Sequence, residues 1–239
     1  MKKSKISFES LVIGETEAYF VLNKPPFVSS LDDRHEANSI IQLTKSYNDD
    51  YQVCHRLDKE TSGIIIIAKN ATAYRHLSMQ FEHRTVDKIY HAVVDGLHEF
   101  KDIQVDMPLR TTSRGKVVID FEKGKTSQTK IKTVKLYKRH TLIHCKPLTG
   151  RMHQIRVHAQ YLKAPLAGDI IYGGEPVFLS QLKKKFNLKK DTEERPIMQR
   201  VALHAAEVSF QDLSGEMCNF VAPYPKDLSV LIKQLEKNI

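Results

Sequence analysis

Apolar residues recur in two rhythms along this chain, and the switches between them outline its elements. Glu17-Ala18-Tyr19-Phe20-Val21-Leu22 reads as a first strand, stopped by Lys24-Pro25-Pro26 because proline has no N–H for a ladder. Ile40, Ile41 and Leu43 give the stretch from Glu36 to Tyr47 a helical look. Four consecutive isoleucines, Ile64 to Ile67, follow the turn Thr61-Ser62-Gly63; such a β-branched run predicts a strand pinned in a core. Asn70 caps a predicted helix in which Tyr74, Leu77 and Phe81 recur at helical spacing. Ile89 to Val94 is a further strand. From Ile103 to Pro147 short strands follow, among them Lys116–Phe121, Lys130–Leu136 and Thr141–Lys146, separated by Gly and charged turns. Ile155, Ala159 and Leu162 predict a helix, Leu203–Phe210 a late strand, and Leu228, Leu231 and Leu235 a C-terminal helix.

Many strands, few helices and hairpin-length connections predict the α+β class, with a mixed, mainly antiparallel sheet core and flanking helices and loops. No internal repeat or Gly/Ser linker interrupts it. Residues 1–16 are expected to be an N-terminal extension and 17–239 a single elongated domain, with an insertion loop at about Glu175 to Pro196.

Composition narrows the setting. The 239 residues are 41% hydrophobic, with no long charge-free apolar run, which predicts a soluble protein with no membrane span. No apolar stretch follows the basic start Met1-Lys2-Lys3-Ser4-Lys5, so no export signal is expected. Cys54, Cys145 and Cys218 stand far apart, which fits neither a disulfide framework nor a zinc site and predicts a reducing, cytoplasmic location. The net charge of +9 attracts polyanions, although charge alone leaves a nucleic-acid binder and a merely basic soluble protein both open. The run Lys183 to Lys190 is followed at once by Asp191-Thr192-Glu193-Glu194, so it reads as a solvated surface.

The sequence holds no Gly-rich phosphate loop, no His/Cys/carboxylate cluster at metal spacing and no nucleophile elbow, so neither a cofactor nor a metal is expected. Two polar constellations remain: His55-Arg56-Leu57-Asp58 with Thr61-Ser62-Gly63, and Gly150-Arg151-Met152-His153-Gln154-Ile155-Arg156-Val157-His158. Taken singly, each has an ordinary explanation. Asp-x-x-Thr before Gly is common turn chemistry, Arg156 alone reads as structural, and His153 and His158 as satisfied groups at a helix edge.

Together the two stretches resemble the signature motifs of the RluA-type pseudouridine synthases. The first signature, His-Arg-Leu-Asp-x-x-Thr-Ser-Gly and an apolar strand, is matched at every fixed position by His55 to Gly63. The second, Gly-Arg-x-His-Gln-Ile/Leu-Arg-x-His, is matched by Gly150 to His158, with Met152 where Thr is usual. Leu22-Asn23-Lys24-Pro25, Lys88-Ile89-Tyr90, Gly168-Asp169-Ile170-Ile171-Tyr172-Gly173 and Ala202-Leu203-His204-Ala205 also line up, so the resemblance runs from about Glu17 to Leu235. The chain departs at Pro26-Phe27, where the family usually has a Gly soon after Lys-Pro.

The resemblance implies a cofactor-independent RNA uridine isomerase. By it, Asp58 is the catalytic aspartate, its charge paired with Arg156, and Tyr90 packs beside the flipped base. Arg56 probes the RNA where the uridine leaves its stack, and His55, Arg151, His153 and Gln154 complete the RNA-contacting set. The expected partner is ribosomal or transfer RNA, with the enzyme a monomer. About fifteen residues ahead of the first predicted strand are too few for an appended RNA-binding domain. Two rivals stand beside this reading: a non-catalytic RNA-binding or ribosome-assembly factor on the same scaffold, and a nucleoside hydrolase. The hydrolase lacks the second carboxylate that glycosidases place across the bond.

Overall fold

The computed structural model describes residues 6–32, 39–188 and 192–238. In chain order the strands are β1 (Val12–Glu15), β2 (Tyr19–Lys24), β3 (Gln52–Val53), β4 (Ser62–Ala68), β5 (Asp87–Asp95), β6 (Ile103–Asp106), β7 (Leu109–Thr111), β8 (Val117–Ile119), β9 (Gln128–Leu136), β10 (His140–Pro147), β11 (Leu203–Gln211) and β12 (Met217–Val221). The helices are α1 (Ile40–Tyr47), α2 (Ala71–Glu82), α3 (Gln154–Tyr161), α4 (Leu179–Leu182) and α5 (Lys226–Lys237). The chain divides into two compact units, Met1–Lys88 with Ala205–Pro223, and Ile89–His204 with Tyr224–Ile239, within what the sequence reading treated as one domain.

The isoleucine run is the spine of the first unit. β4 pairs antiparallel with β2, Leu22 opposite Ile65 and Lys24 opposite Gly63, and Val53 of β3 lies opposite Ile67. Ile64 and Ile66 pack with Val21, Phe210 and Leu77 of α2 on one face; Ile65 and Ile67 pack with Phe20, Leu22 and Ile40 of α1 on the other. Both faces are covered, so the run does not alternate with polar residues. Each buried isoleucine contributes about 1.5–3 kcal/mol of apolar transfer. Asn70 caps α2 by accepting from the Ala73 N–H. α1 starts at Ile40 behind a capping box of Ser39 and Gln42, and the expected earlier start at Glu36 lies outside the described residues. β1 pairs with β2, so residues 12–15 are sheet where an extension was expected.

Glycine is required where the Asp58 segment meets β4. Gly63 has φ +114°, and a Cβ there would lie 2.2 Å from the Ala205 carbonyl oxygen. Phe27 shows the opposite case. It occupies the left-handed region at φ +64°, held by an N–H bond to the Lys59 carbonyl at 2.9 Å, with the residue 49% exposed. A bulky L residue is disfavoured there. Phe27→Gly is expected to stabilise the protein by about 0.5–1 kcal/mol, the relief of the backbone less glycine's extra unfolded-state entropy. A urea titration that showed destabilisation would place the ring's packing above the backbone cost.

In the second unit β10 lies between β5 and β9, antiparallel to both, and β6 flanks β9. One face carries Ala92, Val94, Ile131, Ile143 and Cys145 and packs on Ile155 and Ala159 of α3. On the other, Val93 and Leu142 are covered by Leu228, Leu231 and Leu235 of α5. Val177 and Leu182 join that second cluster and the Ile197 N–H donates to the Val177 carbonyl. Part of the stretch expected as an insertion loop is therefore core, because its apolar residues close the end of α5; Lys183, Lys184 and Lys185 remain exposed. The β7–β8 hairpin packs through Leu109 and Val117 on Val157 of α3 and on Tyr172.

Candidate active site

The segment carrying Asp58 is fixed by groups of its own unit. Lys24 is fully buried, and its Nζ donates to the carbonyls of Pro25 (3.0 Å), Val28 (2.8 Å) and Lys59 (3.1 Å). A buried ammonium is tolerated when its protons are met, and these bonds tie the residue after Asp58 to the end of β2. On the other side Ser30 Oγ donates to the Leu57 carbonyl at 2.8 Å and accepts from the Leu57 N–H at 2.9 Å. The Thr61 N–H closes the turn on the Asp58 carbonyl at 3.0 Å. Both chain neighbours of Asp58 are thus locked, with its side chain half-buried and Arg56 exposed beside it.

His55, expected among the RNA contacts, serves the scaffold. Its Nε2 accepts from the Ile66 N–H at 3.1 Å and its ring lies 5.0 Å from that of Phe81. Burial, and then the Lys88 charge, push its pKa down to about 3. The unfolded chain, titrating near 6.5, takes the proton first. This contribution to stability is complete above about pH 6.5 and is lost as the pH falls toward 3. His91, lowered to about 4 by burial and by His144 and His204, acts over the same window. Unfolding free energy is expected to drop as the pH falls below about 6.5, and His55→Gln to flatten that slope in part. An unaltered slope would show that His55 titrates as an ordinary surface histidine.

In the second unit the Gly150–His158 stretch forms the start of α3. Gln154 is 4% exposed and uses its whole amide. Oε1 accepts from Thr149 Oγ1 (2.7 Å) and the Arg151 N–H (3.0 Å), while Nε2 donates to the Gln128 carbonyl (2.8 Å) and Thr129 Oγ1 (2.9 Å). The Thr129 hydroxyl is then left to donate to His158 Nδ1 (2.9 Å), whose Nε2–H donates to the Met107 carbonyl (3.1 Å). Gln154 and His158 hold the motif to β9 and to the end of β6. Arg151 is exposed, its Nε bonded to the Thr126 carbonyl at 3.2 Å. His153 sits at φ +52° ahead of the helix, its Nδ1 2.9 Å from Tyr172 Oη.

Arg156 is 4% exposed, and its fork grips Asp169: Nε to Oδ2 at 2.6 Å and Nη2 to Oδ1 at 2.7 Å. The Tyr172 ring lies 4.9 Å from the guanidinium carbon, a cation–π contact, and Tyr172 Oη accepts from the Val117 N–H at 3.0 Å. Asp169 was present in the sequence as a family landmark, but no spacing tied it to Arg156. Tyr90 is half-buried at the border of the α3-side cluster, opposite Cys145. Among the described residues no group of three or more His, Cys, Asp or Glu is able to hold a metal ion, and no helix is long and apolar enough to cross a membrane.

Residues 18–161 match the family model for RNA pseudouridylate synthase. The chain is 32% identical over 243 residues to the ribosomal large subunit pseudouridine synthase C of Vibrio parahaemolyticus, covering 99% of this chain and 73% of that protein. It is 37% identical over 185 residues to the ribosomal large subunit pseudouridine synthase D of Neisseria meningitidis, covering 77% and 48%. The solved structure of human RNA pseudouridylate synthase domain containing 4 shares the fold at TM-score 0.72 and 23% identity, covering 95% of each chain. The α+β fold with its mixed, mainly antiparallel sheet is therefore the pseudouridine synthase fold. With the matched family model and relatives alike along most of its length, the chain belongs to the RluA-type family of RNA pseudouridine synthases, enzymes that isomerise uridine in RNA.

Proposed function

We propose that this enzyme converts specific uridines of structured ribosomal RNA by flipping the base from its stack and acting on it with Asp58. The observation that carries this reading is the Asp58 segment itself, a carboxylate on a turn whose neighbours are locked by Lys24 and Ser30. Preorganisation of that kind is what a reacting group needs. The names of the relatives, synthases of the ribosomal large subunit, support ribosomal over transfer RNA.

The reaction breaks N1–C1′, turns the uracil and forms C5–C1′. C5 gives up a proton and N1 gains one, so nothing is consumed. The base must leave the helix, because neither bond is reachable inside it. Water must be kept out, or the detached base is lost to hydrolysis. Asp58 serves either by attack on the nucleoside or by taking a ribose proton, and both need it ionised. In this reading Arg156 takes part as the arginine of the second motif, Tyr90 packs beside the flipped base, and Arg56 enters the space the uridine leaves.

The experiment is a map of pseudouridines in total RNA from cells with and without the gene. Loss of a discrete ribosomal site is the expected result. Loss of a transfer-RNA site would move the substrate, and no lost site would favour a non-catalytic ribosome-assembly role.

A further inference from the structure

The sheet of the second unit carries like charges directly opposite one another. On the face away from α3, Lys130 of β9 stands opposite Lys146 of β10, the like-charged pair, and Lys132 stands opposite the imidazole of His144. His144 faces His91 of β5, their rings stacked at 4.0 Å, and Gln104 of β6 faces Lys130. Cross-strand like charges destabilise a sheet. α5 covers the other end of this face over Val93 and Leu142, where Lys135 pairs with Glu236 at 3.0 Å. At the basic end Lys132 is exposed and Lys130 and Lys146 are half-exposed. Two acids stand in register on this face: Asp106, opposite Gln128, which donates to its Oδ2 at 2.6 Å, and Asp95 at the far end, opposite His140.

We infer that the strip formed by Lys130, Lys132, His144 and Lys146 is a docking surface for the phosphate backbone of the substrate RNA. The inference rests on the RNA-modifying reading and extends it to a face remote from Tyr90, whose side chain lies on the α3 side of the same sheet. Strand spacing sets the geometry: cationic side chains recur about 5 Å apart across strands and about 7 Å apart along them. One or two cations suffice for a small anion. A two-dimensional array suits the repeating charge of a polynucleotide, whose phosphates dominate affinity and displace counterions.

The test is the double substitution Lys130→Gln/Lys132→Gln, compared with wild type and with Lys183→Gln/Lys184→Gln, which removes the same charge from exposed lysines outside the strip. Affinity for a prefolded stem-loop transcript is measured across a salt series, with thermal melting and turnover at saturating RNA alongside. The strip variant is expected to lose about five- to tenfold in affinity at low salt, with the log–log salt slope shallower by about 1 to 2. Its turnover at saturation stays within about twofold, and its melting temperature does not fall, because a repulsive pair has been removed. The control keeps the wild-type slope. An unchanged slope, an equal loss in the control, or a lowered melting temperature would each overturn the inference. Absence of pseudouridine formation by wild type would defeat the functional reading instead, while the binding slopes still report on the strip.

Discussion

Asp58→Asn is expected to abolish pseudouridine formation while RNA affinity stays within about tenfold of wild type. Affinity comes mainly from phosphates meeting lysine and arginine, so one lost carboxylate has little to subtract from it, and removing a negative charge favours binding if anything. Asparagine keeps the shape and leaves in place the bonds that fix the segment, since these run through the Lys59, Leu57 and Asp58 backbones. The variant should therefore fold normally. Asparagine lacks the charge needed either to attack the nucleoside or to accept a ribose proton. Single-turnover assays at saturating RNA check the result, and substantial turnover by the variant would show that the chemistry belongs to another group.

Arg156→Lys is expected to lower turnover by about a hundredfold with a modest change in RNA affinity, as is typical when a small misplacement disturbs reacting groups. Arg156 has a structural duty that affects the experiment. Lysine keeps the charge opposite Asp169 but replaces two charged hydrogen bonds with one, a loss of about 1.5–3 kcal/mol in stability. The Tyr172 ring, which joins the β7–β8 hairpin to this guanidinium, loses its flat partner as well. Melting curves and turnover must be read together. A destabilised variant with near-normal turnover would confine Arg156 to anchoring Asp169 and the hairpin, and Arg151 would become the candidate partner for the Asp58 charge.

Elements whose physics is local were readable from the chain. The isoleucine run, the Asn70 cap and the leucine spacing of α5 all announce themselves within a few residues, whereas the turn expected at Thr61-Ser62-Gly63 lies earlier, at Asp58 to Thr61, and Ser62 and Gly63 already belong to β4. β12 does not, because it is five residues long with no fully buried residue, and only Cys218 and Phe220 pack partly on the core. β1 is four residues long and half-exposed, and looks like a tail. The motifs gave Asp58 and Arg156 by resemblance, but the groups that hold them came only from the fold. Asp169 meets Arg156 across 13 residues through a turn with no period. Lys24, followed by two prolines, reads as the end of a strand, and nothing in the sequence signals that carbonyls enclose its ammonium. Arg200 is hidden in the same way, 1% exposed and forked onto Asp227. Buried charges of this kind are three-dimensional arrangements, and composition and periodicity do not register them.

The cage around Lys24 has a chemical consequence. An amine whose protons are held by carbonyls at 2.8–3.1 Å, out of contact with solvent, has no exposed lone pair to offer an acylating reagent. Lys24 should stay unlabelled by a succinimidyl ester while the surface lysines react within minutes. Its slow acylation would then be set by how often the backbone beside Asp58 lets go. Mass spectrometry of that single peptide thus becomes a clock for the opening of the Asp58 segment, readable without substrate or turnover.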